Sequence, residues 1–328
     1  MLMLRLKLIL TALLLLIVVQ CQPDSPGNVL PTPQPPTSTP ILIPPIQPGD
    51  GTDLIDRLLE AGVIRVGVRV WPEAEFSPPA FRGFSNAATG GALNGFEIDI
   101  ANQLAQNLGL ELELIEAYPP VIASGDWRGE WDIAVASLVP FDQPPVNAPT
   151  QAIAYSQPYA YMPMGLLIPA SEDDIPTFAQ LANRRVGVLE YSAYQRLLTP
   201  EEAPLTVQGQ PLMPQSQPDL RIIVLSNLQK AIRELGLPQG GDSPQVDAIF
   251  GPVPILEEAI RNNLPVKLAT EEKIIGIQPL AIAAVPQDGL KVERLLSEIN
   301  TILDRLQRQG TLAEIYIRWY GQDLSHPP

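Results

Sequence analysis

A chain of 328 residues, 45% of them hydrophobic, is long enough for a real core and for two lobes or domains. Its formal net charge of -15, with no basic run to offset it, repels a phosphate backbone and excludes nucleic acid as a partner. The one histidine, His326, lies in the tail and the one cysteine is Cys21, so Ser-His-Asp, Cys-His and His-based metal chemistry are excluded and no cofactor is expected.

Arg5 and Lys7 precede a leucine-rich run from Leu8 to Val19, the charged and apolar parts of an export signal, and the run is short for a membrane span. The stretch "VVQC" resembles the lipobox of bacterial lipoproteins, with Gln20 where that family has Gly, Ala or Ser. The resemblance implies that Cys21 is lipidated and anchors the chain to the outer side of a membrane; an ordinary export signal or an uncleaved anchor is the alternative. Residues 22–52 are dense in proline and nearly free of charge, which favours polyproline II over packing. They read as a tether reaching at most roughly 90 Å at the polyproline rise.

The folded part is expected from Asp53. "DLIDRLLEAG" reads as a short amphipathic helix ending at Gly62, and "VIRVGVRV" alternates Ile64, Val66, Val68 and Val70 on one face, which is a strand signal. "FEIDIANQLAQNLG" sets Ile98, Ala101, Leu104, Ala105 and Leu108 on one helical stripe closed by Gly109. "LELELIEAY" alternates again and "DIAVASLV" is a buried apolar run, so the order predicts an α/β unit with a largely parallel sheet.

A second unit follows. "IPTFAQLANRRVGVLEYSAYQRLL" predicts helix, strand, turn and helix, and "LRIIVLSNLQKAIRELG" predicts strand and helix before the strand "VDAIFG". "TPEEAPLTVQGQPLMPQSQPD" between them reads as a surface insertion. "YMPMGLLIPA" and "GIQPLAIAAVP" suit two extended hinge crossings. "LKVERLLSEINTILDRLQRQG" carries a clean helical stripe from Val292 to Leu306, and "TLAEIYIRWYG" ends the chain's last helix. The boundaries expected are 53–163 with 281–323 for one lobe and 164–280 for the other.

In their order, "IRVGVRV", "FSPPAFRG", "LNGFEIDIANQLAQNLGLELEL", "WDIAVASL", "YSQPYAYMPMGLLI", "ANRRVGVLEYSAY", "VDAIFG" and "INTILDRLQRQGTLAEIYIRWYG" resemble the extracellular solute-binding proteins of family 3, the receptors of polar amino-acid ABC importers. The resemblance runs from about Leu58 to Gly321. It implies a two-lobed type II periplasmic-binding-protein fold, acting as a monomer, that closes over a small molecule and delivers it to ABC permease subunits.

Ligands of open α/β sheets bind beyond the carboxyl ends of the strands. That rule points to Arg69 after the first strand, to Trp71, Phe76 and Phe81 in the next loop, and to Ser137, Leu138, Val139 and Phe141 after the strand "DIAVASL". Tyr191 and Ser192 stand between a strand and a helix, where Ser192 is either a helix N-cap or part of an anion site. Glu97 and Asp99 read as first-turn carboxylates that suit the helix dipole.

The amino-acid-binding members carry threonines and then an arginine for the ligand's α-carboxylate, and an aspartate after the "VDA" motif for its α-ammonium. Here the matching positions hold Val139, Phe141 and Pro144, and Pro252 or Gly251. The usual clamp is therefore read as missing; a shifted register, with Arg69, Arg82 or Arg128 reaching the carboxylate from another side, is the alternative. Asp126, Glu130 and Asp132 cluster around "SGDWRGEWD" and could supply an acid and a base for a rival lyase or dehydratase reading, but the protein is expected not to be an enzyme. A ligand-sensing domain without transport is the third reading.

Overall fold

The computed structural model describes residues 45–83, 91–143, 153–175, 178–199, 205–212, 219–235, 246–269 and 274–327, all within one compact unit, Pro44–Pro328. Cys21 and most of the Pro-rich segment lie outside the described residues.

Asp53 opens the fold as a shared cap. Its carboxylate accepts from Ile55 N at the start of α1 (Leu54–Ala61) and from Arg294 N and Leu295 N at the start of α7 (Glu293–Arg308), at 2.9 to 3.1 Å. One buried side chain thus satisfies the orphan N–H groups of two helices far apart in sequence. Gly62 ends α1 in the left-handed conformation, as its position after the last apolar residue predicts.

In chain order the strands are β1 (Val63–Val68), β2 (Phe81–Arg82), β3 (Leu93–Asn94), β4 (Glu111–Glu116), β5 (Ile133–Leu138), β6 (Ala154–Pro169), β7 (Arg185–Leu189), β8 (Thr206–Val207), β9 (Gln210–Pro211), β10 (Arg221–Leu225), β11 (Ala248–Pro252), β12 (Val266–Leu268) and β13 (Gly276–Ala284). The other helices are α2 (Phe96–Leu108), α3 (Pro119–Ser124), α4 (Ala193–Leu198), α5 (Leu228–Leu235), α6 (Val253–Arg261) and α8 (Thr311–Tyr320). The first strand stops at Val68, two residues short of the alternating pattern, which leaves Arg69 and Val70 beyond the sheet edge.

Among the described residues one nine-stranded sheet runs β10-β7-β11-β6-β13-β5-β1-β4, with β12 on β6. Two lobes share it. The parallel set β4, β1 and β5 belongs to the first, and the parallel set β10, β7 and β11 to the second. The long strands β6 and β13 run antiparallel to each other through both, and their register shifts between Leu280 and Ala283. The same stretch of β13 shifts register against β5, between Ala281 and Ala283, as a β-bulge does.

The two lobes repeat one device. "RVGV" occurs at Arg65 to Val68 and again at Arg185 to Val188. Asp132, just before β5, takes Arg65 N at 2.8 Å and the Arg65 guanidinium at 2.7 Å; Asp247, just before β11, takes Arg185 N at 2.8 Å and its guanidinium at 2.6 Å. The residue ahead of each aspartate packs over the glycine of the facing strand: a Cβ on Gly67 would lie 2.8 Å from the Trp131 indole, and one on Gly187 would lie 3.2 Å from Val246.

Two predicted elements differ. Where "IPTFAQLANRR" predicts a helix, the described residues from Phe178 form a 3-10 turn, Phe178–Leu181, after which Arg184 N donates back to Leu181 O and Asn183 turns left-handed at φ 62°. The predicted surface insertion contains the β8–β9 ribbon. Asp142 holds it by accepting from the Thr206 hydroxyl at 2.6 Å, Gln208 N at 2.9 Å and Gly209 N at 2.8 Å, so the ribbon of the second lobe is pinned to the loop after β5 of the first.

Candidate functional site

A cavity of about 450 Å³ lies between the lobes, in the size range of small-molecule sites. The first lobe contributes Arg69, Trp71, Glu97, Ser137, Leu138, Val139, Phe141 and Tyr155; the second contributes Leu189, Tyr191, Ser192, Tyr194, Arg196 and Pro252. Met162 of β6 and Gln278 and Leu280 of β13 line it from the crossing strands. Parallel strands in both lobes end at this cavity, which is why strand-end residues dominate its wall.

Of the sequence-predicted residues, the fold therefore brings Arg69, Trp71, Ser137, Leu138, Val139, Phe141, Tyr191, Ser192 and Pro252 to one cavity. Phe76 and Phe81 do not line it. Phe76 is 5% exposed in the core, and Phe81 packs edge-on against Trp319 with ring centroids 5.9 Å apart. Trp71 alone of the three aromatics faces the cavity. Of the three arginines left open by the sequence, Arg82 pairs with Glu116 at 2.7 Å and Arg128 with Asp126 at 2.9 Å, both away from the cavity. Only Arg69 enters it. Pro144 lies outside the described residues.

Arg69 crosses the gap between lobes, its Nη1 donating to Glu190 O at 2.9 Å. Burial pulls its guanidinium down to about 10, against the attraction of Glu190 and Glu97. It stays charged at neutral pH. Glu97, 1% exposed in the first turn of α2, accepts from the Ser137 hydroxyl at 2.7 Å and from the Tyr159 phenol at 3.0 Å. Burial still pushes its carboxyl up to about 7, because these contacts and Arg69 offset only part of the desolvation. Ser137 is left-handed at φ 51°, a conformation that sets its side chain against Glu97.

The stretch at Tyr191 and Ser192 resolves toward a cap. Ser192 Oγ accepts from Gln195 N at 3.2 Å and donates to Leu189 O at 2.5 Å, while Gln195 Oε1 accepts from Tyr191 N at 2.6 Å. These groups are spent within α4, a helix of only six residues, so the expected anion site has little left to offer. Arg196, on the same helix, stacks over Phe141 at 4.7 Å and donates to Gln143 O at 2.8 Å, which joins the lobes again.

Sequence reasoning missed Glu97, Tyr155, Met162, Tyr194, Arg196 and Gln278 as cavity residues. It also placed Asp126, Glu130 and Asp132 as a carboxylate cluster, and none of them lines this cavity. Asp132 is 1% exposed and held by Arg65 and by Arg57 at 3.3 Å. Among the described residues no group of His, Cys, Asp and Glu could hold a metal ion, and no helix is long and apolar enough to cross a membrane.

Residues 73–322 match the family described as bacterial extracellular solute-binding proteins, family 3. The chain belongs to that family. ABC transporter arginine-binding protein 1 of Escherichia coli (strain K12) is 22% identical over 244 residues, covering 73% of this chain and 86% of the relative. Membrane-bound lytic murein transglycosylase F of Desulfosudis oleivorans is 26% identical over 227 residues, which is 69% of this chain and 44% of that enzyme. Among solved structures, a variant of ArgBP from T. maritima matches 82% of this chain and 99% of its own, with TM-score 0.60 at 17% identity. An ancestral amino acid-binding protein, described as a precursor of cyclohexadienyl dehydratase, matches 82% and 99% with TM-score 0.59 at 21% identity. These likenesses show the two-lobed fold. Most of the family binds solutes, and some relatives are enzymes.

Proposed function

We propose that this chain is the extracytoplasmic substrate-binding component of an ABC importer, holding a small polar solute, an amino acid or an amino-acid-like molecule, between its lobes. One observation carries the reading: the cavity is walled by strand ends of both lobes and crossed by the Arg69 to Glu190 contact, so a solute there touches both lobes at once. Only a ligand with greater affinity for the closed arrangement shifts the protein toward it. The lobes are taken as 53–163 with 281–323, and 164–280. The proposed contact set is Arg69, Trp71, Ser137 to Val139, Phe141, Tyr191, Ser192 and Pro252, extended by Glu97, Tyr155, Tyr194, Arg196 and Gln278.

A lipid on Cys21 and the Pro-rich tether would hold the domain near the membrane-embedded permease, as a monomer. Mass spectrometry of membrane-extracted protein tests the anchor: an unmodified or retained N-terminus would remove it. Thermal-shift screening across amino acids, carboxylates, amines and small peptides tests the solute, because a ligand of the folded state raises its stability. Small-angle scattering at saturation then tests closure. No stabilising solute, or an unchanged radius of gyration, would count against the receptor reading.

A further inference from the structure

Gln278 of β13 is 2% exposed and lines the cavity, yet its side-chain amide is unmatched: Nε2 has no partner, and Oε1 accepts from no donor among the described residues. Tyr194, 8% exposed and also on the cavity, has no partner for its hydroxyl. Gln278 faces Met162 across the β13 and β6 pair, and Phe250, which meets the Tyr194 ring edge-on at 5.2 Å, faces Leu166 further along β6. Side chains at every second position of a strand share a face, so both groups stand on one side of the sheet. Buried polar groups are nearly always paired, and two orphans on one cavity wall mark contacts that another molecule completes.

The neighbours of Gln278 on that wall, Met162 and Leu280, are apolar and cannot complete its amide. A primary amide carries a donor and an acceptor side by side in one plane. A carboxylate offers it no donor and leaves the carbonyl unmet, an ammonium offers no acceptor and leaves the N–H groups unmet, and a hydrocarbon leaves both. A second neutral amide meets both at once, whichever way the Gln278 plane is turned. Leaving a buried donor or acceptor unmet costs the desolvation of that group, so this position discriminates between solutes. The requirement concerns one end of the solute and is the same whether or not its other end carries an ammonium.

We propose that Gln278 is a specificity-determining residue, selecting a solute that ends in a neutral amide group: a carboxamide, a ureido group or a lactam. This rests on the solute-receptor reading and narrows its substrate class.

Calorimetry on the whole protein with two matched pairs tests it: glutamine against norleucine, and glutaramate against hexanoate. The members of a pair share one head and differ at the far end, amide against alkyl, so contacts of the head cancel within the pair. In whichever pair binds, the amide member should be about tenfold tighter, the worth of about one hydrogen bond. Gln278→Leu should lower the affinity of that amide member about tenfold and leave its alkyl partner unchanged. The unliganded variant should melt no lower than the parent, because the amide has no hydrogen bond to lose, and this separates lost contact from lost fold. Alkyl members binding as tightly as amide members overturn the inference while the receptor reading stands. An unchanged amide-member affinity in Gln278→Leu overturns it as well, since the side chain then meets only water. If none of the four binds, the inference fails; if the wider solute screen is silent as well, the receptor reading fails with it.

Discussion

Arg233 of α5 holds Glu73 of the loop after β1 in a two-pronged pair, Nη1 to Oε2 at 2.5 Å and Nη2 to Oε1 at 3.2 Å, and so ties the second lobe to the first. The same guanidinium also reaches Glu75, Asn227 donates to Glu73 at 3.1 Å, and Ser77 donates to Glu258 at 3.2 Å. The pair is about one-third exposed on each side, so solvent screening keeps its worth to ~0.5–1 kcal/mol. That is enough to bias a two-state equilibrium. Arg233→Ala should enlarge the radius of gyration of the unliganded protein and weaken solute binding about two- to fivefold. High salt should narrow the difference between parent and variant. Scattering curves that superimpose would mean the latch does not influence closure.

Glu97 sets a pH dependence with a definite sign. Burial lifts its carboxyl from 4.5 to about 7, so the folded protein keeps a proton that the unfolded chain releases between those values. Its contribution is fully present below about pH 4.5 and is lost as pH rises through about 7, by up to ~3 kcal/mol over that window. Glu97→Gln keeps an oxygen for Ser137 and Tyr159 but cannot titrate. Urea titrations from pH 5 to 8 should therefore give a flatter stability profile for the variant. Equal slopes would place the proton elsewhere.

The helices and first strands were legible because one face of each is buried and the other is not. The stripe Ile98, Ala101, Leu104, Ala105 and Leu108 is 4% exposed or less at every position. The strand-end rule pointed to Arg69 and Ser137 for the same reason that ligands gather there, and both line the cavity, as does Pro252, to which only the family resemblance pointed. Met162 and Gln278 were not legible. β6 and β13 are buried on both faces, so alternation does not say which side chains turn toward the cavity. Glu97 was hidden because a carboxylate in a helix's first turn already has an ordinary explanation in the dipole. Phe76 misled because its left-handed φ of 56° turns the loop so that the ring enters the core.

The repeated Arg and Asp device predicts unequal costs. Asp132 is 1% exposed at the side chain and serves both Arg65 and Arg57, whereas Asp247 is 28% exposed and serves Arg185. Removing one partner of a buried pair leaves the other charge uncompensated. Asp132→Asn should cost about 3 kcal/mol, and Asp247→Asn about 1 kcal/mol after discounting for solvent. Urea midpoints at constant slope measure both. Equal midpoints for the two variants would show that burial does not govern the difference.

Gly67 has no room for a methyl group, and the reason lies just ahead of the neighbouring strand β5. Its Cβ would stand 2.8 to 2.9 Å from three atoms of the Trp131 indole, and that ring is 1% exposed and packed on Trp127 with centroids 5.6 Å apart. The ring cannot swing away without disturbing the second tryptophan. Gly187, its counterpart, would meet the end of Leu225 at 2.8 Å, a flexible tip that can rotate. Overpacking a rigid core costs about 1–3 kcal/mol, so Gly67→Ala should fall in that range and Gly187→Ala below it. Near-ultraviolet circular dichroism should change for Gly67→Ala alone, because the tryptophan pair moves. A Gly67→Ala variant with unaltered stability and spectrum would show that β1 and β5 separate easily, and the close strand packing inferred from Trp131 would have to be abandoned.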